Sequence, residues 1–142
     1  MFKKIESQSK NTEINLDEVL DSLKYNEQGL VPCIAQQSGT GEVLMMAWMN
    51  RDALDETLKT GRVCYWSRSR SKLWRKGESS GQVQMLKQLK IDCDGDTLLA
   101  IVDQTGPACH TGRRHCFYLE VTGSVVKVTG DVLIDPADLY KS

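Results

Sequence analysis

Residues able to bind metal ions crowd into 25 residues in the second half of the chain, from Asp92 to Cys116. Thiolate and imidazole suit a soft ion such as zinc, whereas clustered carboxylates suit a hard ion such as magnesium. Both ligand types are interleaved, which suggests two metal ions side by side. Three thiolates would leave one tetrahedral zinc position open for chemistry, so the pattern indicates a metallohydrolase. The residues concerned are Asp92, Cys93, Asp94, Asp96, Cys109, His110, His115 and Cys116.

The spacing of the three cysteines is not by itself diagnostic of zinc. Fifteen residues separate Cys93 from Cys109 and six separate Cys109 from Cys116, which is not a C-x-x-C knuckle. From chemistry alone a zinc site, a redox pair and inert thiols all stay open. Cys33 and Cys64 lie in apolar strand contexts, and we expect them to fill the core.

The aspartates belong to the segment Asp92-Cys-Asp-Gly-Asp96, which also fits a hairpin turn whose aspartates bind their own backbone. An EF-hand is excluded because Gly95 falls fourth from Asp92 and no glutamate occupies the twelfth position. Three carboxylates at one turn repel each other unless a cation or a basic group lies among them. A turn and an ion site are therefore compatible here.

The two histidines each allow several roles. His110 directly follows Cys109, and it could be a zinc ligand, a general base or a surface residue. A histidine as the fourth zinc ligand would close the site and make it structural. We favour His110 as a proton-transfer group, and the role of His115 stays open.

A basic segment runs from Arg62 to Lys76 without an acidic residue, and the sequence Gly77-Glu-Ser-Ser-Gly81 follows it. Arginine and lysine bind phosphate, hydroxyl groups complete a phosphate site, and aromatic rings stack on bases. A solvated charged loop or a nucleic-acid patch are the alternatives. A net charge of −1 and the shortness of the segment favour a single phosphorylated nucleotide over a polymer. The candidate substrate-binding residues are Trp66, Arg68, Arg70, Lys72, Trp74, Lys76, Ser79 and Ser80.

Length and composition predict one domain over residues 1–142, with residues 1–13 loosely ordered. The N-terminus lacks the apolar core of a signal peptide, and no apolar run approaches the ~20 residues that a membrane helix needs. Five cysteines is an odd number, and nothing marks the chain as secreted. Reduced thiols in the cytoplasm are therefore the expectation.

Patterning predicts a β-rich α+β domain, with a mostly antiparallel sheet and two or three short helices. Asn15 and Asn50 are predicted helix caps, Gly61 ends the second helix, and Asp135-Pro136 begins a short terminal one. The apolar run Val43–Met49 predicts burial on both faces, and 105–115 a loop. Predicted strands are Leu30–Gln36, Val43–Met49, Val63–Trp66, Val83–Cys93, Thr97–Asp103, Phe117–Val121 and Val125–Val128.

Several ordered motifs between about residues 30 and 120 resemble the phosphoribosyl-AMP cyclohydrolase family. The resemblance implies hydrolysis of the N1–C6 bond of the adenine ring in phosphoribosyl-AMP, the third step of histidine biosynthesis. The motifs are Trp66-Ser-Arg-Ser-Arg-Ser-Lys72, Leu73-Trp74, Lys76-Gly-Glu-Ser-Ser-Gly81, Asp92-Cys-Asp-Gly-Asp96, and Gly106-Pro-Ala-Cys-His-Thr-Gly112 with Cys116-Phe-Tyr118.

The same resemblance assigns roles to residues of this chain. It implies an intertwined homodimer, with active sites at the interface, zinc ligands drawn from both protomers, and catalysis involving His110. Ser79-Ser80 stands where Thr-Ser is common, and Arg113-Arg114-His115 is bulkier than expected. Two rivals remain, a zinc-stabilised nucleic-acid-binding module and a deaminase, although the deaminase signature is absent from the sequence. The implied ligands are Cys93, Cys109 and Cys116 for zinc, and Asp92, Asp94 and Asp96 for magnesium.

Overall fold

A six-stranded sheet forms the body of the protein in the computed structural model, which describes residues 1–139. A separate two-stranded ribbon and four short helices accompany it within the described residues. The strands are β1 Val31–Gln37, β2 Val43–Met49, β3 Cys64–Ser67, β4 Lys72–Arg75, β5 Gln84–Ile91, β6 Leu98–Gln104, β7 Leu119–Thr122 and β8 Val125–Val128. The helices are α1 Phe2–Ile5, α2 Leu16–Asp21, α3 Arg51–Thr60 and α4 Pro136–Leu139.

The strand order of the large sheet is β4-β3-β2-β1-β6-β5. Its neighbours pair antiparallel except β1 and β6, which run parallel at its centre. The predicted β-rich α+β fold with a mostly antiparallel sheet is confirmed. The number of helices is higher than predicted because α1 forms inside the segment expected to be loosely ordered, where Phe2 packs against the core.

The core lies between the sheet and α3. Alternate residues of β1 and β6 are buried, as the period of two in a half-covered strand requires. Cys33 and Cys64 are fully buried, which confirms their predicted place in the core. Burial raises the pKa of each of these thiols to about 12, so both are protonated packing groups at neutral pH.

Helix ends follow the predicted caps. The Asn15 side chain accepts a hydrogen bond from the Glu18 N–H group, and Asn50 accepts one from Ala53 at 2.8 Å. Gly61 ends α3 in the left-handed region with φ of 77°, a conformation that costs glycine little. These local signals fix the orientation of α3 against the sheet.

The structure contains one strand that sequence patterning does not predict, and it overturns one expected burial pattern. Lys72–Arg75 forms an edge strand, β4, paired with β3, although the sequence places it within one continuous basic segment. In β2, Val43 and Met46 are 44% and 45% exposed, so this strand is not buried on both faces. The outer face of β2 is open because α3 covers only one side of the sheet.

The β7–β8 ribbon presents a bare apolar face. Leu119 pairs with Val128 and Val121 with Val126, so these four side chains share one face, and all are exposed. Glu120 and Lys127 pair on the opposite face. A two-stranded ribbon alone is marginally stable in water. Its apolar face is therefore a surface suited to burial against another group.

None of the helices among residues 1–139 has the length and hydropathy needed to cross a membrane.

Candidate active site

The first part of the site is the cysteine loop, residues 105–118, which connects β6 to β7. The Cys109 N–H group donates to the Arg113 carbonyl at 3.1 Å, which folds the loop back on itself. The Cys116 N–H group donates to the Leu44 carbonyl of β2 at 2.7 Å. These two anchors make Cys109 and Cys116 neighbours, close enough that Cys109 acts together with burial to raise the pKa of Cys116. Thr111 Oγ1 also donates to Cys109 Sγ at 3.1 Å.

A buried lysine lies beside this thiol pair. Lys76 is only 8% exposed, and its Nζ donates to the Ala108 carbonyl at 2.6 Å. Burial lowers the pKa of Lys76, while the nearby Cys116 and Cys109 act in the opposite direction. Burial and the neighbouring Cys109 raise the pKa of Cys116 to about 12. Cys116 would become a thiolate at neutral pH only beside a strong cation, and a pair of adjacent cysteines fits a zinc ion.

Cys93 lies far from this pair. It precedes β6 and the cysteine loop follows β6, and at roughly 3.3 Å per residue this strand alone spans about 20 Å. Within residues 1–139 the three sulfurs do not all lie within 4.8 Å of one another. Cys93 is exposed. One chain therefore does not assemble the three-cysteine set.

The aspartate turn, residues 92–97, joins β5 to β6. Asp92 Oδ1 accepts hydrogen bonds from the N–H groups of Asp96 at 2.9 Å and Thr97 at 3.3 Å, so the predicted turn chemistry is present. Possible ligand atoms of Asp92, Cys93 and Asp94 also lie within 4.8 Å of one another, and all three side chains are exposed.

A hydrogen bond between the Asp92 and Asp96 carboxyl groups moves their pKa values apart. It lowers the pKa of Asp92 and raises the pKa of Asp96, because the two share a proton more easily than they share two negative charges. A divalent cation would relieve the same repulsion, so the oxygen donors of this turn fit a hard ion such as magnesium.

A basic cleft of about 1330 Å³ opens on the uncovered side of β2, β3 and β4. Arginine, lysine, tryptophan and hydroxyl side chains line it, and His110 of the cysteine loop also contributes to its wall. The sequence-predicted residues found here are Trp66, Arg68, Arg70, Lys72, Trp74, Ser79 and His110. Lys76 and Ser80 do not line this cleft; Lys76 points to the cysteine loop, and Ser80 Oγ accepts from the Gln82 N–H group.

Sequence reasoning missed Trp48, which also lines the basic cleft. The Arg68 guanidinium lies over the Trp48 ring, 5.0 Å from its centroid, in a cation–π contact. Trp48 pairs with Trp66 across β2 and β3. The period of two in a strand places Trp48 on the same face of β2 as Met46, and this could have identified it. The pattern is hard to see because every residue of β2 is apolar.

Comparisons with known proteins place this chain among the hydrolases. The family model described as Phosphoribosyl-AMP cyclohydrolase matches residues 45–118. A relative named phosphoribosyl-AMP cyclohydrolase from Alkalilimnicola ehrlichii is 64% identical over 140 residues, covering 99% of both chains. One of the same name from Alcanivorax borkumensis is 63% identical with the same coverage. A third, from Halorhodospira halophila, is 66% identical over 122 residues and 86% of both chains.

The chain belongs to the phosphoribosyl-AMP cyclohydrolase family. This confirms the resemblance drawn from the five motifs. Membership of this family supports an enzyme over the rival nucleic-acid-binding module.

Proposed function

We propose that the protein hydrolyses the N1–C6 bond of the adenine ring of phosphoribosyl-AMP, the third step of histidine biosynthesis. The observation that carries this proposal is 64% identity over 99% of both chains to a relative bearing that name. The basic cleft is consistent with it, because the substrate is a nucleotide with two phosphoribosyl groups. Hydrolysis adds the water oxygen to C6 as a carbonyl and transfers a proton to N1 as the bond breaks. The products of the cleavage are a carboxamide and an amidine within one molecule.

His110 is the proposed proton-transfer residue. Its side chain is exposed on the wall of the basic cleft, one residue after Cys109. An imidazole at this position can take a proton from the attacking water and deliver one to the departing ring nitrogen. This role requires contact with the reacting atoms but no metal coordination by His110.

The cationic side chains of the cleft are the proposed phosphate ligands. Arg68, Arg70 and Lys72 are exposed at the wall of the cleft, where they can contact a bound phosphate, and Ser79 offers a hydroxyl at the same wall. Trp66 or Trp74 would lie against the purine. For Lys76 we propose a place beside the cysteine pair, where its ammonium group favours thiolates. Ser80, also a candidate, is the chain neighbour of Ser79 but does not itself line the cleft.

Zinc and magnesium are the proposed cofactors. Cys109 and Cys116 of one protomer, with the partner's Cys93, would hold zinc, and zinc supplies Lewis acidity at an open coordination position. The two adjacent thiols, with Cys109 buried and Cys116 partly buried, support this assignment. Asp92, Asp94 and Asp96 would hold magnesium, as the crowding of their carboxyl groups suggests.

A homodimer follows from the same proposal. Zinc binds sulfur at about 2.3 Å, so sulfurs on one ion lie within about 4 Å of each other, far less than the length of β6. A second copy of the chain can bring its Cys93 to the cysteine pair. The exposed apolar face of the β7–β8 ribbon offers surface for such an association.

The proposed location is the cytoplasm. All five cysteines are free thiols in the structure, and Cys33 and Cys64 are buried singly in the core. A reducing compartment keeps exposed thiols such as Cys93 available as metal ligands.

The experiment is a direct assay of the purified protein with phosphoribosyl-AMP, zinc and magnesium, following ring opening by the ultraviolet absorbance change. We expect turnover by the parent protein and its loss in Cys109→Ser, with zinc lost in parallel. Cys33→Ser, a thiol buried in the core, is the matched control and should keep zinc. Absence of turnover by the metal-loaded parent would refute the proposed function, and full turnover after exhaustive chelation would refute the role of zinc.

A further inference from the structure

The Arg114 side chain makes four hydrogen bonds, although this residue lies outside the motifs that carry the family resemblance. Its Nε donates to Glu42 Oε1 at 3.2 Å and its Nη2 to Gln37 Oε1 at 2.8 Å. Its Nη1 donates to two backbone carbonyls, those of Gln104 at 3.0 Å and Gly106 at 2.7 Å. One guanidinium thus serves four acceptors, which uses nearly all of its donor geometry.

These acceptors lie on two segments that are far apart in sequence. Gln104 ends β6 and Gly106 opens the cysteine loop, whereas Gln37 ends β1 and Glu42 directly precedes β2. Gln37 Oε1 is itself held in place, because it also accepts the Gln104 N–H group at 2.9 Å. Arg114 therefore joins the entrance of the cysteine loop to the turn between β1 and β2.

The same residue connects both cysteines through the backbone. Its carbonyl accepts the Ala108 N–H group at 2.9 Å, next to Cys109. Cys116, two residues after Arg114, is tied to Leu44, two residues after Glu42. Arg114 thus lies in the chain between the two backbone anchors of the cysteine loop, Arg113 to Cys109 and Cys116 to Leu44.

We propose that Arg114 is a positioning residue for the metal centre: it fixes the separation and direction of the Cys109 and Cys116 thiols without touching substrate. This inference rests on the proposed zinc site. Mutation of a residue that holds the metal ligands in place, without itself contacting the metal, typically lowers metal affinity about 10–100-fold. A lysine would keep the charge but not the planar fork, and so could not serve four acceptors in these directions.

The test compares Arg114→Met and Arg114→Lys with the parent protein, each loaded with zinc or with cobalt(II) as a spectroscopic probe. We expect both variants to bind zinc about 10–100-fold more weakly in chelator competition. We also expect their cobalt forms to show shifted d–d bands, because the thiolates meet the ion at altered angles. Arg62→Met is the matched control, since it removes an exposed arginine outside the cysteine loop; its affinity and spectrum should equal the parent's.

Parental zinc affinity and cobalt spectrum in a folded Arg114→Met protein would overturn the inference. If that variant does not fold, Gln37→Met decides, because it removes one acceptor of the guanidinium; a parental spectrum in Gln37→Met overturns the inference equally. A parent protein that binds neither zinc nor cobalt through its cysteines would instead overturn the proposed zinc site itself.

Discussion

Cys93 and Cys109 lie beyond opposite ends of one strand, β6, with Cys93 on the aspartate turn before it and Cys109 on the cysteine loop after it. The strand is extended and is paired with β1 over residues 98–102 and with β5 over residues 98–104. Bending cannot bring the two sulfurs together. A zinc site that uses both must therefore combine two copies of the chain.

Mixing two inactive variants tests this directly. We expect Cys93→Ser and Cys109→Ser to be inactive alone, and unfolding and refolding them together at equal amounts to restore about a quarter of parental activity. Half of the random dimers are mixed, and each mixed dimer has one intact site of two. Mixing Cys109→Ser with Cys116→Ser is the control and should restore nothing, because both ligands come from the same protomer. No recovery in the first mixture would contradict a shared site.

The apolar face of the β7–β8 ribbon should contribute to the interface of the proposed homodimer. Val121 is 78% exposed in the single chain, so we expect Val121→Asp to place a charge in the interface and weaken association about tenfold or more. Thr122→Asp puts the same charge on the opposite face and should leave association near parental values. Sedimentation equilibrium measures both. Equal effects of the two substitutions would show that the apolar face is not the contact.

His110→Ala should separate catalysis from metal binding. We expect kcat to fall roughly 10²–10⁴-fold, the usual contribution of a proton-transfer group, while zinc content stays parental. Steady-state kinetics and metal analysis on the same preparation give both values. Loss of zinc together with rate would make His110 a ligand instead of a proton carrier.

Trp48 should affect substrate binding through Arg68. Removing the ring in Trp48→Leu takes away a cation–π contact worth about 0.5–1 kcal/mol at an exposed site, so we expect KM to rise roughly 2–5-fold with little change in kcat. Trp48→Phe keeps an aromatic face, so its KM should lie between that of the parent and that of Trp48→Leu. An equal loss in kcat, with KM unchanged, would argue against this role.

The ion pair between Glu56 of α3 and Arg75 of β4 should make stability depend on pH. Arg75 donates to both carboxylate oxygens, at 2.9 and 2.8 Å, and this lowers the pKa of Glu56 below 4.5. A carboxyl group whose pKa is lower in the folded state than in the unfolded state stabilises the fold at pH values above its unfolded-state pKa. That contribution is lost as the pH falls through the folded-state pKa. The parent should therefore melt above Glu56→Gln near neutral pH, and the difference in Tm should shrink below about pH 4.5. A constant difference across this range would show that the charge of Glu56 is not responsible.

The parts of the fold that sequence predicts are those set by neighbours along the chain. The caps at Asn15 and Asn50 and the stop at Gly61 need only local hydrogen bonds and a left-handed backbone. The pairing of β1 with β6 depends on packing between distant segments, which no local pattern encodes. β4 escaped prediction because Lys72–Arg75 is a short edge strand with two adjacent, partly buried apolar residues between two exposed basic ones, so it lacks an apolar alternation.

The candidate active site likewise has features that the sequence predicts and features that arise only from packing between distant segments. Donor chemistry and motif order identify the cysteines, the aspartates and His110, because those depend on residue type. The contact between Trp48 and Arg68 and the four acceptors of Arg114 arise only when β2 and the cysteine loop meet β3, β6 and the β1–β2 turn. The sequence shows Trp48 only as part of an apolar run, and Arg114 only as part of an unexpectedly bulky segment before Cys116.

The parallel pairing at the centre of the sheet also sets the order in which the protein can assemble. Cys33 of β1 lies opposite Leu98 of β6, 65 residues later, whereas β1–β2 and β5–β6 join strands close in sequence. Local hairpins form within microseconds, while closing a long loop carries an entropic cost before any contact compensates it. We expect the two halves of the sheet to form early and to join late. Refolding should thus show a slow unimolecular phase, and association into the proposed homodimer should follow as a second phase whose rate rises with protein concentration.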